Sequence, residues 1–125
     1  MNLVDSSGWL EYFGAGPKAG YFARAIEGVD ALLVPTIVLV EVCRRILQQR
    51  GEDEALQAAA LLHQGHIVDL DSALALSAAQ LGIAHKLPLA DSIILATAKR
   101  FGATIWTMDG DFEGLPHVRY VAKRK

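Results

Sequence analysis

The chain of 125 residues is long enough for one domain with a substantial hydrophobic core, and 52% of its residues are apolar. A net charge of −2 and an isoelectric point near 6.0 exclude a protein that holds nucleic acid through a broad basic surface, so local Lys/Arg clusters or bound metal would have to supply positive charge. The mean hydropathy of +0.26 indicates that another chain covers part of the apolar surface.

Cys43 is the only cysteine, which excludes an internal disulfide and a cysteine-based zinc site and favours a reducing environment. The N-terminus lacks the basic region and apolar run of a signal peptide. No uninterrupted apolar run approaches transmembrane length, so we expect no membrane association. These observations predict a single cytoplasmic domain over residues 1–125.

The N-terminal quarter predicts a short strand followed by two helices. Residues 1–4 are apolar enough for the strand, and Asp5 or one of the two serines after it could cap a helix over about residues 9–13. Taken alone, Asp5 is most simply that cap. A break containing Gly and Pro at residues 14–17 precedes an amphipathic helix over residues 18–27.

Five of the nine aromatic residues fall in this N-terminal quarter. Most clusters of this kind are hydrophobic core, and that is the simpler interpretation. The alternative is an aromatic groove that binds a partner peptide. The residues concerned are Trp9, Tyr12, Phe13, Tyr21 and Phe22.

Residues 31–34 predict a second buried strand, after which the local signals conflict. The β-branched run over residues 37–42 has strand propensity, whereas Pro35 at one end and basic residues before Gly51 at the other favour a helix. We predict the helix, with Thr36 as its cap.

Glu41 is then a lone acid inside this apolar helix. A buried, unpaired Glu is costly, so it needs a metal, a proton or a cation beside it. The ordinary alternative is an ion pair with Arg44 or Arg45 one turn along, worth roughly a few tenths of a kcal/mol if exposed.

The second half of the chain continues to alternate helices and strands. The predicted ranges are 52–63 (helix), 66–69 (strand), about 71–85 (helix), 88–101 (helix), 103–106 (strand) and 118–121 (strand). Pro88 suits the first position of the last helix, and Gly102 suits a left-handed cap at its end. We expect the last strand at a sheet edge and a solvated basic tail over residues 123–125.

This alternation predicts an α/β fold, a three-layer α/β/α sandwich with a mainly parallel sheet. In such a sheet, ligands bind beyond the carboxyl ends of the strands. Four acids reach that edge from different elements: Asp5, Glu41, Asp91 and Asp109. Each has an ordinary explanation as a helix cap, an ion-pair partner, a dipole partner or a turn residue, but their shared placement predicts that four carboxylates converge.

Converging carboxylates repel one another at neutral pH unless protons or cations intervene. A donor set made only of oxygens suits Mg²⁺ or Mn²⁺ and not zinc. A divalent cation beside an open acidic pocket is the arrangement used for metal-assisted phosphodiester cleavage. The four histidines show no metal-ligand spacing and are most simply surface residues: His63, His66, His85 and His117.

Four motifs follow one another along the chain: N-L-V-D-S-S, P-T-I-V-L-V-E-V, L-P-L-A-D-S-I-I-L-A-T-A and T-M-D-G-D-F. In this order and spacing they resemble the motifs of PIN-domain ribonucleases, and most of all those of VapC toxins from toxin–antitoxin pairs. The resemblance spans essentially the whole chain. It implies an acidic quartet at Asp5, Glu41, Asp91 and Asp109, supported by Asp111 and by the hydroxyls of Ser6 and Thr107.

The resemblance implies a metal-dependent endoribonuclease, the toxin of a type II toxin–antitoxin pair, that cleaves RNA with Mg²⁺ or Mn²⁺. It also implies a homodimer and a cognate antitoxin whose peptide runs along the toxin and blocks the acidic pocket. The alternative is a catalytically silent PIN-like scaffold that acts only through protein partners. A phosphatase of the haloacid-dehalogenase type is disfavoured because Ser7 stands where that chemistry requires an Asp.

Overall fold

Residues 1–123, the part of the chain described by this computed structural model, contain a five-stranded sheet in which all neighbouring strands are parallel. The strands are β1 (Asn2–Val4), β2 (Leu32–Pro35), β3 (His66–Val68), β4 (Thr104–Thr107) and β5 (Val118–Tyr120). Across the sheet they lie in the order β3-β2-β1-β4-β5. This order confirms the parallel sheet and places the last strand at an edge, as predicted.

Six α-helices connect the strands within the described residues and complete the predicted α/β/α sandwich. The helices are α1 (Ser6–Phe13), α2 (Ala19–Glu27), α3 (Thr36–Arg50), α4 (Glu52–Leu62), α5 (Ser72–His85) and α6 (Leu89–Phe101). The neighbouring strands β1 and β4 are largely buried: Leu3 of β1 and its register partner Ile105 of β4 are at most 1% exposed. Strands buried on both faces need continuous apolar sequence, which explains their short, unbroken apolar runs.

Helix α3 resolves the conflict between strand propensity and helix signals. Val38, Val42 and Ile46 are buried at four-residue spacing, so one helical face packs on the core and outweighs the β-branched composition. The predicted Thr36 cap is wrong, because Pro35 occupies the cap position with extended backbone and Thr36 is the first helical residue. Pro88 likewise stands at the cap position of α6, one residue before the predicted one.

Helix α1 begins at Ser6, earlier than the predicted start near residue 9, because Asp5 caps it. The Oδ1 atom of Asp5 accepts a hydrogen bond from the backbone N–H of Gly8 at 3.1 Å. Gly8 also lets α1 lie directly against its neighbours. A Cβ atom at this position would come within 2.6 Å of Val4 Cγ1 and 2.8 Å of Phe22 Cδ1.

Helices α5 and α6 form a hairpin that is fastened at its open end. Asp71 caps α5 and also pairs with the guanidinium of Arg100 in the last turn of α6, at 2.9 and 3.2 Å. Gly102 adopts the predicted left-handed cap conformation after α6, with φ of 62°. Within residues 1–123 no single helix is long and apolar enough to cross a membrane, and α5 and α6 reach that length only as a pair bent by 113°. The predicted basic tail lies outside the described residues except for Lys123, which is exposed.

Gly8→Ala tests the close packing of α1. We expect a loss of about 1–3 kcal/mol in the free energy of unfolding, because an added Cβ must displace Val4 or Phe22. The matched control is Gly20→Ala in α2, where a Cβ meets no atom within 4 Å and alanine should add up to about 1 kcal/mol through helix propensity. Chemical denaturation of both variants measures the difference, and equal midpoints would contradict the packing argument.

Candidate active site

The carboxyl ends of β1 and β4 meet where the strand order reverses. From β1 the chain proceeds through β2 and β3 toward one edge, whereas β4 and β5 lie on the other side of β1. Val4 is in register with Trp106, and the backbone N–H of Asp5 donates to the Trp106 carbonyl at 3.1 Å. A reversal point of this kind leaves a crevice outside the strand ends, where open α/β sheets bind ligands.

Asp5 lies at the base of this crevice and is only 2% exposed. Its Oδ1 atom accepts hydrogen bonds from Ser7 Oγ at 2.6 Å and from the Gly8 N–H, and its Oδ2 atom accepts one from Thr107 Oγ1 at 2.6 Å. Burial raises the pKa of Asp5 to about 6, against the lowering effect of these donors, and the nearby charge of Asp109 raises it further. The ordinary explanation of Asp5 as a helix cap is confirmed, and the same carboxylate also joins two strand ends.

Two hydroxyl groups link Asp5 by hydrogen bonds to the backbone of the loop after β4. Thr107 Oγ1 accepts the backbone N–H of Asp109 at 2.8 Å, and Ser7 Oγ accepts the backbone N–H of Met108 at 3.0 Å. Both hydroxyls donate their own hydrogens to Asp5, so the loop is fixed by a two-layer hydrogen-bond network. Thr107, which the resemblance gives as a hydroxyl for orienting water or a carboxylate, lies in this network between Asp5 and the backbone of Asp109.

Ser7 belongs to this hydrogen-bond network, although its place in the sequence indicates only a helix cap or a departure from a phosphatase motif. Ser6, which was predicted to orient water or a carboxylate, lines the open cavities beside the site and makes no side-chain hydrogen bond among the described residues. The signal for Ser7 is its spacing: two residues beyond a capping Asp, its hydroxyl can reach both the cap and a neighbouring strand. That spacing alone is weak, because many first-turn serines face solvent.

Three carboxylates converge above this network. One oxygen atom from each of Asp91, Asp109 and Asp111 lies within 4.8 Å of the others. Asp91 is buried in the first turn of α6, Asp109 is half-buried and Asp111 is exposed. Asp109 accepts the backbone N–H of Asp111 at 2.9 Å and caps the 3-10 turn Gly110–Phe112, which brings Asp111 back beside it.

The electrostatics of this cluster call for a counter-charge. Burial, followed by the charges of Asp109 and Asp111, raises the pKa of Asp91 to about 8. Without a cation, the cluster therefore retains a proton near neutral pH. A donor set of carboxylate oxygens fits Mg²⁺ or Mn²⁺, and no histidine or cysteine joins the cluster within residues 1–123.

The structure brings the four predicted acids to one region but not into one contact group. Asp91 and Asp109 lie together with Asp111, and Asp5 is linked to them through Thr107. Glu41, half-buried on α3, lines an adjoining cavity of about 360 Å³. Among the described residues it forms no ion pair with either neighbouring arginine, so that ordinary explanation does not account for it.

The interpretation of the N-terminal aromatics as hydrophobic core is confirmed for two of the five residues, and the alternative, a partner groove, is wrong for those two. Trp9 and Phe22 are fully buried in the core and can line no groove, because α1 and α2 pack against each other over β1. Tyr12, Phe13 and Tyr21 are half-buried at the margin of that core. Phe13 lines an open cavity between α1, α3 and α4.

Comparison with known proteins places this geometry in a family. The model of the PIN domain family matches residues 3–118, nearly the whole chain. No curated protein matched the chain by sequence.

Several solved structures share the fold. A toxin–antitoxin complex from Klebsiella pneumoniae contains a chain that is 26% identical, with a TM-score of 0.78 and coverage of 95% of this chain and 96% of that one. VapC20 of Mycobacterium tuberculosis, a sarcin–ricin loop cleaving toxin, is 19% identical with a TM-score of 0.78, over 94% and 97% of the two chains. DNA-bound VapBC from Salmonella typhimurium is 16% identical with a TM-score of 0.72, over 98% of each chain.

Metal-free protein should lose stability as the pH rises, and a divalent cation should restore it. Asp91 has a pKa raised to about 8 from an ordinary value of 3.8, so its protonated form favours the fold at low pH and that contribution is lost as the pH rises through 8. In EDTA at about pH 8, Asp91→Asn should therefore melt above the wild type, with the gap closing toward about pH 4. Mg²⁺ or Mn²⁺ at a hundred times its Kd should stabilise the wild type by about 2.7 kcal/mol, a Tm increase of several degrees.

Melting curves across pH, with EDTA and with each cation, measure these effects. The control is Asp69→Asn, because Asp69 also follows a strand at the carboxyl edge but lies outside the cluster and is exposed. A wild-type Tm that neither cation changes, together with a lower Tm for Asp91→Asn than for Asp69→Asn in EDTA, would show that the cluster is no cation site.

Thr107→Val should loosen the loop that carries Asp109. The substitution keeps the shape but removes the donor to Asp5 and the acceptor for the Asp109 N–H, which should cost about 1–3 kcal/mol and speed amide exchange at Met108 and Asp109. Thr104→Val on the same strand is the control, since the Thr104 hydroxyl makes no hydrogen bond among the described residues. Equally slow hydrogen exchange in both variants would show that the Thr107 hydroxyl does not hold the loop that carries Asp109.

Proposed function

The chain belongs to the PIN-domain family, and from this premise we propose that it is a divalent-metal-dependent endoribonuclease, the toxin of a type II toxin–antitoxin pair acting in the cytoplasm. The observation that carries the proposal is the cluster of Asp91, Asp109 and Asp111 at the reversal point of the sheet. A catalytically silent scaffold would gain nothing from gathering three carboxylates whose repulsion destabilises the fold. The cluster therefore favours the enzyme over the scaffold.

We assign the binding of Mg²⁺ or Mn²⁺ to the acidic quartet of Asp5, Glu41, Asp91 and Asp109, with Asp111 beside them. When bound, such a cation acidifies water and offsets charge on a phosphodiester. Asp5 can still contribute, because an ionised carboxylate offers about four acceptor positions and the chain uses three of them. Its hydrogen bonds to Ser7 and Thr107 meanwhile keep Asp109 aimed into the crevice.

Glu41 and Asp91 are the candidates for orienting the attacking water. Glu41 has no protein cation holding it among the described residues and faces a cavity that adjoins the one lined by Asp109. Asp91 lies inside the carboxylate cluster, where its raised pKa suits it to accept or hold a proton near neutral pH. An RNA phosphate placed between the two would have a carboxylate on each side.

A cognate antitoxin is the proposed protein partner. Several of the similar solved structures are toxin–antitoxin or VapBC complexes, and this chain has an open cavity of about 400 Å³ between α1, α3 and α4 that could receive a peptide. Leu10, Phe13 and Leu61 supply apolar contacts there. The cavity leads toward the carboxylates, so a bound peptide could extend into the site and an arginine from it could replace the cation.

A homodimer is the proposed assembly, and the α5–α6 hairpin is its candidate interface. Ile83 and Leu89 are 82% and 80% exposed, and Leu70 and Leu76 of the same region are also exposed. Exposed apolar side chains that line one shallow cavity on a small domain mark a surface that another chain covers. This surface accounts for the high mean hydropathy of the sequence.

Asp91→Asn and Asp109→Asn should each lower RNA cleavage by about a hundredfold or more while leaving the fold intact, because each removes one charged ligand of the cation. Purified protein, a labelled RNA and Mg²⁺, Mn²⁺ or EDTA measure this, with Asp69→Asn as the control that should cleave like the wild type. Cleavage that persists in EDTA, or a folded Asp91→Asn variant with the wild-type rate, would contradict the assignment. Sequencing RNA 5′ ends after brief expression would then identify the target.

A further inference from the structure

A continuous groove runs between α1 and α3 from the carboxylate site toward α4. It consists of three cavities of about 520, 360 and 400 Å³, the first lined by Asp109 and the second by Glu41. The first two share Ser6, Leu10 and Arg45, and the third shares Leu10 and Arg45 with both. We refer to the three together as the α1–α3 groove.

Arg45 is the cation common to all parts of the α1–α3 groove. Its side chain is exposed on α3 and has no ion pair or hydrogen bond with any of residues 1–123. By contrast, Arg50 in the same groove is paired with Glu54 at 3.2 Å. Arg44 and Lys123 each line a single cavity, one beside Glu41 and the other beside Asp109.

The position of Arg45 beside two acidic groups has a physical consequence. It lines the cavity of Glu41 as well as that of Asp109 in a chain of net charge −2, and it is the basic residue that all three cavities share, so it is the cation best placed to attract a polyanion along the whole groove. A guanidinium presents a planar fork of N–H donors that matches phosphate oxygens. Because Arg45 is unpaired among the described residues, it can bind a phosphate without first breaking an internal salt bridge.

We propose that Arg45 binds a backbone phosphate of the RNA and seats the strand in the α1–α3 groove, with the neighbouring phosphate at the carboxylate site. This inference rests on the proposed ribonuclease function and adds the residue that positions the substrate. Arg44 and Lys123 flank the bound strand on its two sides. Arg45 acts on binding and not on the chemistry, because it lies outside the carboxylate cluster.

Binding is tested with Arg45→Ala and Arg45→Lys, both made in an Asp91→Asn background so that RNA is not cut. The probe is a fluorescein-labelled single-stranded RNA oligonucleotide, and anisotropy gives its Kd over about 50–200 mM salt. Arg45→Ala should weaken binding by about five- to tenfold and reduce the slope of log K against log salt by about 0.7, the value for one lost phosphate contact on a single strand. Arg45→Lys should keep the slope, because it keeps the charge, and lose only part of the affinity.

The matched control is Arg24→Ala, which removes an equally exposed arginine from α2, outside the groove. It should leave both Kd and salt slope at the parent values. With Asp91 restored, Arg45→Ala should raise the KM for RNA cleavage more than it lowers kcat, as expected of a binding residue.

The proposal is overturned if Arg45→Ala changes Kd and salt slope no more than Arg24→Ala does, or if it weakens only the binding of an antitoxin peptide. The proposed function fails separately: if the wild type cuts no RNA in Mg²⁺ or Mn²⁺ while the Arg45-dependent Kd and slope persist, the binding site stands and the catalytic assignment falls.

Discussion

The carboxylate of Asp5 joins the N-terminal end of the chain to Thr107, which lies 102 residues later in the sequence. It caps α1, receives hydroxyl hydrogen bonds from Ser7 and Thr107, and through those hydroxyls fixes the backbone at Met108 and Asp109. Burying a carboxylate costs free energy, as the raised pKa of Asp5 shows, and several well-placed hydrogen-bond donors are needed to offset that cost. Because these donors come from the first turn of α1 and from the end of β4, the ends of β1 and β4 and the acidic loop between β4 and β5 keep one fixed geometry.

The cluster of Asp91, Asp109 and Asp111 differs from Asp5 in its electrostatic surroundings. Asp5 is buried and well supplied with donors, whereas Asp91 is buried beside two further acids and has its pKa raised still more. A natural sequence that violates a local stability rule at one place usually does so for function. The contrast separates two arrangements of acids: the Asp5 carboxylate is held by donors from α1 and β4, whereas the carboxylates of Asp91, Asp109 and Asp111 face one another.

Most elements of this fold could be predicted from local sequence, because the signals for them are local. Apolar periodicity, the capping residues Asp5 and Asp71, and Gly102 each affect structure within a few residues of their own position. The resemblance of four motifs predicts the PIN-domain family and its fold, and both are confirmed. What could not be predicted depends on contacts about a hundred residues apart. The choice of Ser7 over Ser6 depends on the distance to Met108. Which of the five N-terminal aromatics are fully buried depends on how α1 and α2 pack, and composition does not encode that packing.

The strand order also determines when, during synthesis of the chain, the acidic cluster can form. β1 is made first, yet its partner β4 and the acids at positions 109 and 111 are made more than a hundred residues later. The central strand therefore waits with one side unpaired during translation, and Asp5 waits for Thr107. No partial chain that ends before Asp111 can assemble the acidic cluster, so the site forms only when nearly the whole chain has been made.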